Sequence, residues 1–456
     1  MWQYLLKKMD QHFNSKVDRY TYEELIWLSE EKGHTLLSKA SAGSVCCILC
    51  NNARKSVIAL LACWYAGLVP VPLSSHYGDR HNKQIMDVLT PTLILTDTKI
   101  CVSEYQKTNS AIEEASVILC TSGTTGLPKG IVHTQKSIIS NIEGILEYFQ
   151  LNSDDHILIA RPLCHSAVFT GELLAALVSG ANITFYPDKY NPGGVLQRLI
   201  KGDITAMGST PTMLFHMACL YTDQKPIPLE KLIVSGEPLQ PKAAQKIRRA
   251  FTETQIYSVY GLTEAGPRVS YLEPDKFDEL EGSVGLPLKH VEIKVVNENS
   301  REVASGQRGI VWVKSSSLMK GYYKDDALTN RVLNQGWLNT GDIGYKDKKG
   351  YLYICGRADD MIIKAGMNIY PKEIESLTDS IPVIQKTFVY GFETAIGQEI
   401  GMEIILKEDY RHIKKKDVMR LLSEVLAEYQ MPAQLRIVEQ FQTTLSGKRR
   451  PHGISE

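Results

Sequence analysis

Apolar runs of two different periods alternate along the first 260 residues of the chain, and this alternation limits the fold more than any other feature. YTYEELIWLSEEKGHTLL reads as a helix, SVCCILC as a strand, SVIALLACWYAGL as a helix and TLILTD as a strand. The pattern resumes with a helix over 135–149, then strand HILIA, helix GELLAALVSG, strand NITFYP, helix GGVLQRLIKG, strand ITAMGS and strand IYSVY. Strands separated by helices predict βαβ units and a parallel sheet, and ligands of such sheets bind where the strands end. The fold class is therefore α/β. Residues 56–73 are uncharged and long enough to raise a membrane span, but Gly67, Pro70 and Pro72 break the run, leaving a buried helix to about Ala66 and a short strand.

The pattern changes over about 282–357, where VEIKVVN, GIVWVKS and GYLYICG read as strands joined by turns without helices, a small barrel-like subdomain. Beyond GRADD come a helix (PKEIESLTDS), two strands (KTFVYGF, IGMEIILK) and a charged helix (RHIKKKDVMRLLSEVLAEY). The expected organisation is a large N-terminal domain over 1–357 and a small mobile α+β lid over 358–456.

Fifty-one basic residues balance fifty-one acidic ones, so no overall field draws the chain to nucleic acid or anionic lipid, and partners must be recognised locally. Nine cysteines in 456 residues form no regular framework, as for reduced thiols in a cytoplasm. Cys46, Cys47 and Cys50 read as small apolar strand residues, since no second cluster supplies further metal ligands. Lys7, Lys8 and Asp10 interrupt what a secretion signal would need as its apolar core.

Residues 121–134, TSGTTGLPKGIVHT, form a turn between an expected strand, SVILC, and an expected helix. Gly123, Gly126 and Gly130 let the backbone approach a ligand closely; the hydroxyls of Thr121, Ser122, Thr124 and Thr125 surround anionic oxygens, and Lys129 adds positive charge. This is a phosphate-binding loop, though not the G-x-x-x-x-G-K-[ST] pattern.

This motif resembles the signature of the adenylate-forming enzymes: acyl- and aryl-CoA synthetases, peptide synthetase adenylation domains and luciferases. Five further segments agree in order: SGEPL at 235–239, YGLTEAG at 260–266, GWLNTGDIG at 336–344, GRADDMIIKAGMNIYPKEIE at 356–375 and LSGKRR at 445–450. The resemblance implies that Gly236, Glu237 and Pro238 pack on adenine, Tyr260 stacks on it beside Gly261, Thr263 meets the phosphate and Glu264 holds Mg2+. It further implies that Asp342 and Arg357 bind ribose, that Lys448 is the C-terminal catalytic lysine, that Asp359 is the hinge and that Gly366 lines a pantetheine tunnel. Ser258 stands where an Asn or Gln usually touches the adenine edge, and the segment before the phosphate loop is short for such an enzyme.

The acyl group is expected near His165, Met207, Gly208, Ser209, Val259 and Gly266. Ala167 falls where amino-acid-activating domains carry an aspartate, which disfavours an α-amino acid because a buried ammonium lacks a partner. Arg268 reads as solvent-facing, with a second acidic group on the substrate as the alternative. The implied reaction uses ATP and Mg2+ to convert a carboxylic acid to acyl-AMP, then passes the acyl group to CoA or the phosphopantetheine of a carrier protein. A stand-alone adenylation enzyme loading an amino or β-amino acid onto a carrier protein and a luciferase-like adenylating oxygenase are the alternatives. The expected assembly is a monomer or homodimer without membrane insertion.

Overall fold

The computed structural model describes residues 1–74, 79–105, 114–122, 128–186, 191–222, 226–364, 367–394, 397–443 and 449–452. The chain divides into two compact units, one of Met1–Lys294, Trp312–Asn339 and Gly350–Leu352, the other of Val295–Val311, Thr340–Lys349 and Tyr353–Glu456.

The larger unit is built on a nine-stranded sheet. Strands Gln255–Gly261, Lys231–Val234, Ala206–Ser209, His156–Ile159, Asn182–Phe185 and Lys16–Val17 run parallel. Antiparallel strands Arg268–Leu272 and Leu286–Pro287 close one edge, and Tyr20–Thr21 closes the other. The helices cover the sheet for the reason their spacing anticipates. In Pro192–Ile200 the buried residues are Val195, Leu196 and Leu199, and in Gln135–Phe149 they include Ile138, Ile142, Ile145 and Phe149, each set a single stripe. The first stripe meets Leu158, Met207, Leu232 and Ile256 of the strands in one apolar cluster. Burying each such side chain contributes about 1.5–3 kcal/mol.

A second sheet holds Val69–Pro72, Val45–Leu49 and Leu93–Thr96 in parallel, with Ile100–Val102 antiparallel at its edge. The helix Ala53–Tyr65 stops before Gly67, whose φ of 69° suits the reversal into Val69–Pro72. Cys46 and Cys47 are fully buried on Val45–Leu49, and burial pushes both thiols well above their ordinary range. No helix among the described residues is long and apolar enough to cross a membrane.

In the smaller unit, Ile384–Thr394 and Gly397–Leu406 pair antiparallel and Gln434–Ile437 joins parallel. Helices Pro371–Asp379 and Lys415–Ser423 supply Ile374, Val418 and Leu422 to its core. The charged helix is shorter than the 411–429 expected, because Lys414 is already extended and the chain beyond Ser423 leaves the helix after Glu424. The β-rich stretch also departs from expectation: a helix, Asp326–Val332, interrupts it, started by the Asp325 carboxylate accepting from the Leu328 amide at 2.9 Å.

One buried polar contact ties three strands of the large sheet. The carboxylate of Asp155, 3% exposed, accepts from Lys231 Nζ (2.8 Å), Thr205 Oγ1 (2.8 Å) and the Asn152 amide (3.0 Å). Replacing Asp155 by Ala leaves the Lys231 ammonium with the Gln150 carbonyl (3.0 Å) but no counter-charge, and should cost about 3 kcal/mol, read as a lowered urea midpoint; an unchanged midpoint would show the contact to be dispensable.

Candidate functional site

The parallel strands of the large sheet end together, and the segments that follow them carry the candidate residues. Strand His156–Ile159 leads to Arg161 and His165, Ala206–Ser209 to Thr210, Lys231–Val234 to Gly236 and Glu237, and Gln255–Gly261 to the short turn Thr263–Ala265.

That turn is held from several sides. A Cβ on Gly261 would lie 1.8 Å from the Pro267 carbonyl oxygen, so only glycine allows the chain to fold back so closely. Gly266 takes a φ of 93°, and the Gly266–Pro267 bond is cis. Asn141 accepts from the Arg268 amide (3.1 Å) and donates to the carbonyls of Arg268 (2.9 Å) and Ala265 (3.3 Å). Buried His133 places Nε2 at 2.8 Å from the Thr263 carbonyl, which can only accept, so that nitrogen carries the proton. Desolvation pulls His133 down to about 4 against the opposing effect of that carbonyl, which keeps it neutral at ordinary pH.

The turn presents two side chains. The Thr263 hydroxyl lies 2.9 Å from Ser166 Oγ, and Glu264 Oε1 accepts from the Tyr322 hydroxyl at 2.9 Å. Lys129 Nζ sits over the Tyr322 ring, 5.6 Å from its centre. Lys129, the Tyr322 phenol and the Glu264 carboxylate thus form one run of contacts, and the Thr263 and Ser166 hydroxyls form a second pair on the same turn. Among the described residues no cluster of three His, Cys, Asp or Glu forms a metal cage. A single half-buried carboxylate fits Mg2+ held chiefly by phosphate oxygens and water.

The phosphate-loop expectation requires a correction. Ala115–Ser122 and Pro128–Thr134 are antiparallel strands, with Thr121 opposite Lys129, so the loop joins two strands of a hairpin. The helix begins only at Gln135, after the Thr134 hydroxyl accepts from the Ser137 amide at 3.1 Å. No helix N-terminus therefore follows the loop directly, and Ile131 and Val132 were the β-branched sign of the intervening strand. Gly123, Thr124, Thr125 and Gly126, and the side chain of Ser122, lie outside the described residues, as do Gly366 and Lys448.

Of the residues expected to receive adenine, Gly236 has a φ of 93°, while the Glu237 carboxylate accepts from the Thr212 hydroxyl (2.6 Å) and amide (3.2 Å). Pro238 is exposed beside it, Tyr260 half-buried, and Ser258 buried at 6%. Of the residues expected near the acyl group, Met207, Gly208, Ser209 and Val259 are all buried in the last residues of their strands. His165 has an accessible ring in crowded surroundings; desolvation, then the charge of Arg161, pulls it down to about 4.

The solvent-facing expectation for Arg268 is overturned: the residue is 2% exposed and is the largest fully buried side chain. Its Nη2 donates to the Ala167 carbonyl at 3.4 Å, and Tyr148 and Glu172 act on it electrostatically. Glu172, fully buried, accepts from Arg161 Nη2 at 2.5 Å. Glu172, Arg161, His133, Asn141 and Tyr322 were missed from sequence. Glu172 alone had a legible signal, as the one charge inside the apolar stretch FTGELLAALV.

In the smaller unit Asp342 is 8% exposed, and its Oδ1 pairs with Arg357 Nη1 at 3.0 Å. The same nitrogen donates to the Thr340 carbonyl at 2.8 Å. Gly341, φ 70°, leaves room for the guanidinium, since a Cβ there would lie 2.9 Å from Arg357 Nη2. Asp359 stands 3.8 Å from the other side of Arg357.

The chain matches the AMP-binding enzyme family over residues 7–116 and 103–323. It is 25% identical to indoleacetate–CoA ligase of Aromatoleum aromaticum, covering 96% of this chain and 92% of that one. It is 31% identical to a putative acyl-CoA synthetase of Bacillus subtilis, covering 80% and 67%. Among solved structures it resembles o-succinylbenzoate CoA synthetase from Bacillus subtilis in complex with its acyl-adenylate intermediate, at 25% identity, a TM-score of 0.87 and coverage of 98% and 96%. With a match spanning well over half of its length, the chain belongs to the AMP-binding enzyme family.

Proposed function

We propose that this chain joins a carboxylic acid to coenzyme A in two steps at the expense of ATP. It is an ATP-dependent, AMP-forming acid–thiol ligase. The observation that carries the reading is that relatives aligned over nearly the whole chain are CoA ligases. In the first step a carboxylate oxygen attacks the α-phosphorus and pyrophosphate leaves; in the second a thiol attacks the acyl carbon of acyl-AMP and AMP leaves. A carboxylate is a poor electrophile, so the first step supplies the leaving group for the second.

The residues divide the work by chemistry. The hydroxyls of Thr121, Ser122, Thr124 and Thr125, the amides at Gly123 and Gly126, and Lys129 cradle the phosphates. Gly236, Glu237, Pro238, Ser258, Tyr260 and Gly261 receive the adenine, and the paired Asp342 and Arg357 take the ribose hydroxyls. Thr263, steadied by Ser166, donates to a phosphate oxygen. Glu264, oriented by Tyr322, holds Mg2+, which when bound neutralises charge on the phosphates. Lys448 places a cation where charge develops as the acyl-phosphate bond forms. Asp359 is the hinge at which the chain turns between the steps, and Gly366 lies along the path of the pantetheine.

His165, Met207, Gly208, Ser209, Val259 and Gly266 receive the acyl group. The Arg268 guanidinium beside the Ala167 carbonyl repels an ammonium, which removes the ordinary amino acids from contention. The acceptor is CoA; a holo carrier protein is the finer alternative, separated by offering each to the preformed acyl-adenylate. Nine free thiols fit a reducing, cytoplasmic compartment.

Pyrophosphate release measured across a panel of carboxylic acids tests the activity. Lys448→Ala should lower adenylation by roughly 100- to 1,000-fold while ATP binding, followed by calorimetry, survives. Equal pyrophosphate exchange in that variant would remove Lys448 from the role. The pH profile tests His165. With its pKa depressed to about 4 the ring is neutral above about pH 5, gaining its proton only as pH falls through that value. The adenylation kcat/KM should therefore be level with respect to this group from about pH 6 to 8 and fall below about pH 5. His165→Asn, which has nothing to titrate, should lose that acid limb.

A further inference from the structure

The larger unit buries more positive than negative charge at the ends of its parallel strands. Glu172 is fully buried and Arg268 is 2% exposed, while the Arg161 side chain keeps 8%. Two guanidiniums thus face one carboxylate, an excess of one positive charge. The cluster also leaves hydrogen-bonding capacity unused: Arg161 Nε, Glu172 Oε2 and Ser209 Oγ are buried without a partner, while the Arg268 guanidinium has the Tyr148 phenol beside it. A buried charge or polar atom left in this state is costly unless something completes it.

The surroundings are shaped to hold the cluster. A Cβ on Gly208 would come within 2.5 Å of Glu172 Oε1 and 3.2 Å of Arg161 Nη2, and one on Gly171 within 2.8 Å of Arg268 Nη2. Two glycines on separate elements thus make space for the same three side chains. Glu172 stands in a π-helical segment, Phe169–Leu174, a local widening of the helix frequent at functional sites. Gly208 and Ser209 belong to the acyl side of the site, and Arg161 lies close enough to His165 for its charge to act on that ring.

We propose that Arg161, anchored by Glu172 and reinforced by Arg268, reads a second anionic group carried by the acyl substrate, so that the preferred acids are dicarboxylic. The proposal rests on the ligase reading and names its substrate class. Arg161, the member with remaining exposure, makes the contact; Glu172 and Arg268 are positioning residues. A second carboxylate, unlike a methyl or phenyl end, supplies acceptors for the unused N–H groups and cancels the excess charge.

The test compares acids matched in length, hexanoate with adipate and 4-methylbenzoate with terephthalate, by pyrophosphate exchange on the full-length enzyme. In the wild type the diacid of at least one pair should exceed its partner in kcat/KM by about 10-fold or more. Arg161→Met and Arg268→Met should each lower the diacid value by about 30-fold while changing the monoacid by less than about 3-fold. Monoacids equal to or better than diacids in the wild type would overturn the proposal without any variant, so a misfolded substitution cannot protect it. A uniform loss on both kinds of acid in Arg161→Met would assign that arginine to the reacting carboxylate and also overturn it. Turnover of monoacids alone leaves the ligase reading standing; no exchange with any acid, ATP still binding, removes both.

Discussion

A single hydrogen bond, from His133 Nε2 to the carbonyl of Thr263, joins the two segments on which this site is built. His133 lies on the strand Pro128–Thr134, and Thr263 opens the turn bearing Glu264. Because the ring is buried, it must stay neutral, and because Thr263 offers a carbonyl, the tautomer has no freedom. The strand Pro128–Thr134 and the turn Thr263–Ala265 are therefore tied directly to each other. Asn141 extends the same logic to Ala265 and Arg268, so one helix braces both the turn and the strand that follows it.

Charge balance over the whole chain concealed what matters locally. Fifty-one cations against fifty-one anions give no long-range field. Inside the larger unit, however, Arg161 and Arg268 oppose only Glu172 among the carboxylates of the described residues. Desolvation works against all charge in this cluster, pushing Glu172 up and Arg268 down. Protonating Glu172 raises the net positive charge, so relief by that route increases the demand for an outside anion. An anion from outside satisfies the cluster with the opposite sign.

How much was legible follows from the range of the interactions. The helix over 135–149 and the strands of the large sheet show in sequence because their stripes repeat within a few residues. The strand Pro128–Thr134 did not, since a glycine-rich approach and Lys129 hid its β-branched core behind the motif. Arg268 was misread for a different reason. Its burial depends on Gly171, Glu172 and Tyr148, each roughly a hundred residues or more away in the chain, and no local pattern around GPRVS records them. Tyr322 is also distant from Glu264, which it orients, 58 residues along the chain.

The two halves of the acyl side are electrostatically unlike, and the sequence order explains why this is stable. Arg161 and His165 are four residues apart on one connection, so a protonated His165 would face a nearby guanidinium at close range. Keeping the imidazole neutral lets a cation sit beside it without repulsion, and the cation in turn helps keep it neutral. A neutral ring thus stands beside a cluster that retains its positive charge. On the dicarboxylate reading proposed above, a second anionic end supplies the acceptors that the guanidinium N–H groups of this cluster lack.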